Sequence, residues 1–107
     1  QYLGPRTRVD ERAQLGAGTS IGADCVIGPG AKIARSVIGA GTRIGRDARV
    51  EGSILGGGVV VGDHAAVVDG AVVGDGATIA AGVTVAGATI PTDATVNRTP
   101  TDGEGAR

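Results

Sequence analysis

Phe, Trp and Met are absent from the 107 residues, and Tyr2 is the sole aromatic side chain. Aromatics supply much of the volume of an ordinary core, so a core here has to be filled by Val, Ile, Leu and Ala. A single cysteine, Cys25, excludes an internal disulfide. A single histidine, His64, speaks against a zinc centre, which takes three or four protein ligands, and no metal site is expected. No apolar run approaches the ~18 residues of a membrane span, and no secretory leader is visible, so no membrane partner and a cytoplasmic location are expected. No dense basic patch with interleaved aromatics occurs, which argues against nucleic acid as a partner. Met is missing even at position 1, and the chain is therefore expected to be cut from a longer product.

Glycine is abundant, with 21 residues. Gly-rich chains are often disordered, but disordered chains lack the β-branched residues that fill this one. Charge is spread unevenly along the chain. Residues 1–52 hold eight basic residues against five acids, and residues 53–107 hold two against six.

Aliphatic residues recur at every sixth position: Leu3, Val9, Leu15, Ile21, Ile27, Ile33. A five-residue step leads to Ile38, followed by Ile44 and Val50. A second leads to Leu55, then Val61, Val67, Val73, Ile79 and Val85, and a third to Ile90 and Val96. Each short step falls at the same place in a longer period of 17 or 18 residues. Three hexads therefore make one turn of a triangular coil, and stacked coils give three columns. Helical periodicity is absent. Gly follows the aliphatic residue at positions 16, 22, 28, 39, 45, 56, 62 and 74, and its tolerance of positive φ suits a sharp corner. Four residues after most aliphatics comes a small or β-branched residue, among them Thr19, Cys25, Thr42, Val59 and Ala77, able to turn inward at the corner. Cys25 is expected to be a buried, inert thiol.

This pattern resembles the hexapeptide-repeat, left-handed parallel β-helix family. The left hand is what the resemblance implies, since spacing alone does not give it. The expected fold is all-β, a single-stranded left-handed parallel β-helix of about five triangular coils over residues 1–96, followed by a flexible tail at 97–107. Residues 26–62, "VIGPGAKIARSVIGAGTRIGRDARVEGSILGGGVVVG", look most like the C-terminal domain of sugar-nucleotide pyrophosphorylases, especially mannose-1-phosphate guanylyltransferases. The resemblance implies a non-catalytic structural and oligomerisation domain, whose partners are further copies of itself, a nucleotidyltransferase catalytic domain, or both. The parent would need Mg2+, and this chain no cofactor. The alternative within the same fold is a homotrimeric acyltransferase that uses acyl-CoA, with His64 as general base, a task that suits a pKa near neutral.

Residues 39–46, GAGTRIGR, resemble a glycine-rich phosphate loop. The hexads GAGTSIGA (16–23) and GDGATIAA (74–81) share the pattern, and no helix is expected after it, so the stretch reads as one more repeat. His64, three residues past Val61, falls on a solvated corner, and Asp63 is expected to point elsewhere. Asp24, Asp47, Asp63, Asp69 and Asp75 also fall in corners, where Asp bonds nearby backbone N–H groups. Lys32, Arg35, Arg46 and Arg49 are expected to cluster on the third face and its corner, fit to receive a phosphate or an acidic surface. The residue before each aliphatic points outward. Val37, Ile54 and Val72 thereby make an exterior apolar strip, with Val60 and Val26 on the next face, and Val37, Ile54, Val60 and Val72 are the candidate interface.

Overall fold

The computed structural model describes residues 2–99. Of the expected tail at 97–107, residues 100–107 lie outside the described residues. Among the described residues there is no helix. Every strand is two or three residues long, and every ladder between strands is parallel.

Three sheets form the sides of a prism measuring 34 × 21 × 20 Å. The first stacks Tyr2–Leu3, Ser20–Ile21, Val37–Ile38, Ile54–Leu55, Val72–Val73 and Thr89–Ile90. The second stacks Arg8–Val9, Val26–Ile27, Arg43–Ile44, Val60–Val61, Thr78–Ile79 and Thr95–Val96. The third stacks Gln14–Leu15, Lys32–Ala34, Arg49–Glu51, Ala66–Val68 and Thr84–Ala86. The coil thus has five full turns and two sides of a sixth, against about five expected. Each aliphatic pairs with its own kind one coil away, as in Ile38 with Leu55 and Leu55 with Val73. All three five-residue steps fall at the corner from the third sheet to the first.

The columns fill the interior. Ile21, Ile27, Ile33, Ile38, Ile44, Leu55, Ile79 and Ile90 are fully buried, and the small corner residues are buried with them. Only the first coil, with no layer beneath it, leaves its column partly open, with Leu3 47% exposed. At the other end the Thr99 hydroxyl accepts the backbone N–H of Thr84 at 3.0 Å, on a strand with no further strand above it.

The corners correct one expectation. Positive φ does not fall on the glycines that follow the aliphatics. It falls three residues past the aliphatic, as at Asp24, Gly30, Gly41, Asp47, Gly58 and His64, and two past it on the shortened corners at Arg35, Gly52 and Gly87. A five-residue step therefore removes one residue from the corner and leaves both flanking strands in place. The glycines directly after the aliphatics serve a different need, the close approach of the next coil. A Cβ on Gly62 would stand 2.5 Å from the backbone nitrogen of Ala81, and one on Gly22 would stand 2.8 Å from that of Ala40. On the third sheet the strand usually runs one residue further, so Ala34, Glu51, Val68 and Ala86 stand there instead of glycine.

Polar corner residues form ladders between coils. Thr7 Oγ1 donates to the Gly22 carbonyl at 2.6 Å, Cys25 Sγ lies 3.2 Å from the Gly39 carbonyl, and Thr42 Oγ1 donates to the Gly56 carbonyl at 3.0 Å. On another corner Ser36 Oγ donates to the Val50 carbonyl of the next coil at 3.3 Å and accepts the Ser53 N–H at 3.1 Å. Among the described residues no buried side-chain polar atom lacks a partner, as a dry interior requires.

Gly62→Ala and Gly82→Ala separate the two roles of glycine. Gly82 has φ +74 and open space around its Cβ position. Its substitution should cost only the left-handed strain, about 1 kcal/mol, while Gly62→Ala should cost about 2–3 kcal/mol by forcing two coils apart. Equal losses in chemical unfolding would count against the stacking role.

Candidate functional site

A filled prism has no interior site, so the sheets, corners and ends carry the candidates. His64 stands on the corner between the second and third sheets at φ 62, and its side chain is 64% exposed. Its Nδ1 lies 3.9 Å from Asp47 Oδ2, also exposed, one coil below. That distance exceeds a hydrogen bond. Asp63 turns away, and its Oδ1 accepts the Arg46 backbone N–H at 2.9 Å. Among the described residues, no three His, Cys, Asp or Glu side chains come together in a way that would hold a metal ion.

The acids occupy corners, and several of their bonds run between coils. Asp75 Oδ1 accepts the Gly57 N–H at 3.0 Å, as Asp63 does for Arg46. Gly56 and Gly45 leave the space in which these carboxylates sit. Asp24 is paired with Arg6 at 2.6 Å. The hydrogen bond from the Arg6 guanidinium holds the Asp24 carboxyl below the ordinary carboxylate range, and the Arg6 charge adds to it. The Arg12 backbone N–H does the same for Asp10, with the Arg12 and Arg46 charges adding.

Of the four basic residues expected together, three converge. Lys32 and Arg49 are neighbours in register on the third sheet, and Arg49 pairs with Glu51 at 3.0 Å. Arg35, at the corner leading to the first sheet, comes within 3.9 Å of the same carboxylate. Arg46 stands on the opposite corner of that sheet. Glu51 thus answers part of the positive charge, a partner the basic pattern alone did not reveal. A shallow groove at this end is lined by Gln14, Gly16, Lys32, Ala34 and Glu51.

The first sheet differs from the others. Its outward residues, Tyr2, Ser20, Val37, Ile54, Val72 and Thr89, carry no charge. Val37, Ile54 and Val72 are adjacent in register and 50%, 52% and 42% exposed. Val60 lies round the corner on the second sheet, between Arg43 and Thr78. The corner between it and the strip is Gly56-Gly57-Gly58, which has no side chains. Arg8 and Arg43 break up the second sheet, and Lys32, Arg49 and Glu51 break up the third.

Comparison with known proteins follows the same lines. The family model described as the GMPPB C-terminal domain matches residues 1–104. No curated protein matches the sequence. Among solved structures, the acetyltransferase domain of PglB from Neisseria gonorrhoeae superposes with a TM-score of 0.90 at 19% identity, over 96% of this chain and 52% of that one. A point mutant of the GDP-perosamine N-acetyl transferase from Caulobacter crescentus, in complex with CoA and GDP-perosamine, matches at 33% identity with a TM-score of 0.66. That match covers 87% of this chain and 50% of that one. A hexapeptide-repeat containing acetyltransferase from Vibrio cholerae matches at 19% identity with a TM-score of 0.82, over 99% of this chain and 70% of that one. The chain spans about half the length of the first two structures. The likenesses at 19% identity carry the coil alone.

Two outcomes are expected from these side chains. Cys25 lies between Thr7 and Thr42 in one corner column, and each threonine donates to the carbonyl one coil on, Gly22 and Gly56, that corresponds to the Gly39 carbonyl faced by Cys25. Cys25→Thr should therefore change stability by less than about 1 kcal/mol, and native Cys25 should resist a thiol reagent that labels the unfolded chain at once. The lowered Asp24 carboxyl adds stability that is complete above the ordinary carboxylate range and is lost as pH falls through its depressed value. An Asp24→Asn variant should accordingly unfold with a shallower acid dependence in a pH series of thermal melts.

Proposed function

The chain belongs to the GMPPB C-terminal domain family, and from that premise we propose that it is the non-catalytic β-helix of a sugar-1-phosphate nucleotidyltransferase. Such an enzyme joins a sugar phosphate to a nucleoside triphosphate and releases pyrophosphate. The role of this domain is to hold catalytic domains and protomers in place, in the cytoplasm. The observation that carries the reading is the uncharged outer face of Val37, Ile54 and Val72 on a prism whose interior is packed with aliphatic side chains. An apolar strip of this kind on a rigid rod is a docking surface. Asp63 and Asp75 bond backbone N–H groups at corners, and Asp24 is paired with Arg6. Mg2+ and the nucleotide would therefore be held by the catalytic domain.

A second reading has one specific support, the 33% identity to a GDP-perosamine N-acetyl transferase in complex with CoA. In that reading His64 would be the general base of an acyltransferase. A base of that kind needs a partner that fixes its ring, and the nearest carboxylate, Asp47, is 3.9 Å away in open solvent. The columns also run from Leu3 to Val96 without an inserted loop to wall a cofactor cleft.

Calorimetry of the chain with acetyl-CoA distinguishes the two. The expected result is no heat of binding, and no nucleotidyl transfer from mannose 1-phosphate and GTP by the chain alone. Binding of acetyl-CoA that disappears in His64→Ala would transfer the function to the acyltransferase reading.

A further inference from the structure

The uncharged sheet has an internal symmetry that its neighbours lack. Beyond Tyr2 on the first strand, the outward side chains of the other five strands run Ser20, Val37, Ile54, Val72, Thr89, each in direct register with the next. Read from either end, the order is hydroxyl, valine, isoleucine, valine, hydroxyl. The rim by which the chain enters this sheet repeats the symmetry. Its residues at positive φ are Gly18, then Arg35, then Gly52, then Asp69 with Gly70, then Gly87. Two opposite charges thus flank a central glycine. Arg35 is level with Val37, Gly52 with Ile54 and Asp69 with Val72. Asp69 at φ 60 takes this conformation as Asp24, Asp47 and Asp93 do, whereas Arg35 at φ 48 adopts it under strain, so the arginine's place on the rim is not a backbone requirement.

We propose that a second copy of this chain packs on this sheet about a two-fold axis running along the Ile54 strand, with the two coils antiparallel. This rests on the reading of the sheet as a docking surface. The operation lays Ile54 on the partner's Ile54, Val37 on the partner's Val72 and Ser20 on the partner's Thr89. Because the axis runs along the strand, the entry rim of one copy lies beside the entry rim of the other. Arg35, 3.9 Å from Glu51 of its own chain, then faces the partner's Asp69, and symmetry makes that pair twice. An axis along the coil would lay each level on itself and match no charges. On the far rim Asp24 faces the partner's Asp93, but its charge is already met by Arg6 at 2.6 Å.

The whole-chain charge favours the same arrangement. Residues 1–52 carry 8 − 5 = +3 and residues 53–107 carry 2 − 6 = −4. Antiparallel copies set the basic half of each against the acidic half of the other, and parallel copies would set like against like. A face 20 Å wide and five strands tall, at about 4.8 Å each, offers roughly 400–500 Å² per copy. That is near the lower limit of specific interfaces, so the dimer is reversible and set by concentration.

Sedimentation of the whole chain over a concentration series, with folding checked by circular dichroism, tests the arrangement. The wild type should pass from monomer to dimer, and Ile54→Lys should remain monomeric. Arg35→Asp and Asp69→Arg should each weaken the dimer roughly tenfold at low salt, and the doubly swapped chain should recover wild-type association. If Ile54→Lys dissociates the copies but the double swap does not recover, the antiparallel two-fold is wrong and the docking surface stands. A wild type that stays monomeric at every concentration, or that forms trimers, overturns the pairing. A dimer that survives Ile54→Lys overturns both the pairing and the docking surface beneath it.

Discussion

Every property of this protein depends on the stacking of one coil on the next at strand spacing, about 4.8 Å. At that separation each position can meet only its counterpart one coil away, so the molecule is organised in columns. Aliphatics stack on aliphatics, small corner residues on small corner residues, and Thr, Cys and Ser pass hydrogen bonds from coil to coil. The glycines after the aliphatics answer to the same spacing, since a Cβ on Gly62 would enter the backbone of the coil above. Length can change only where a corner loses a residue without shifting a strand. The corner leading into the first sheet meets that condition at Arg35, Gly52 and Gly87.

A core closed in this way leaves function to the outside. The three sides are chemically distinct although their interiors are alike. The third sheet gathers Lys32, Arg49 and Glu51, the second alternates arginine with valine and threonine, and the first carries no charge at all. The chain belongs to the GMPPB C-terminal domain family, and its uncharged face supports the proposed role of a module that joins other parts of an enzyme. The face also holds information about how it is joined. From Ser20 to Thr89 its side chains are symmetric about Ile54, and Arg35 and Asp69 stand at matching levels of the rim with opposite charge, a pattern that an isologous contact can use.

The candidate site was partly legible in the sequence. Placing Val37, Ile54 and Val72 outward required only the alternation of a strand, and the period then stacked them. His64 could be placed on a solvated corner from its distance to Val61 alone. What escaped the reading involved contacts between coils at corners. Glu51 between Arg49 and Arg35 does not emerge from a pattern of positive charge alone. The sequence pattern groups Arg46 with them, but it turns on the other corner of the sheet. The glycines after the aliphatics answer to the spacing of the coils, and positive φ falls on other corner residues.

The amino-acid order by itself determined the three columns, the place of each shortened step and the direction of each strand residue, because a six-residue period admits a single way of burying so many branched side chains. The family resemblance supplied the hand of the coil, which periodicity does not contain. Only the tertiary structure decided which residue of each corner takes the left-handed conformation, which carboxylate reaches which N–H one coil away, and that Arg35 and Asp69 share a rim at the levels of Val37 and Val72. These depend on distances of a few ångströms between residues 17 or 18 apart in sequence, and a periodic sequence specifies that such residues are neighbours without specifying how their side chains meet.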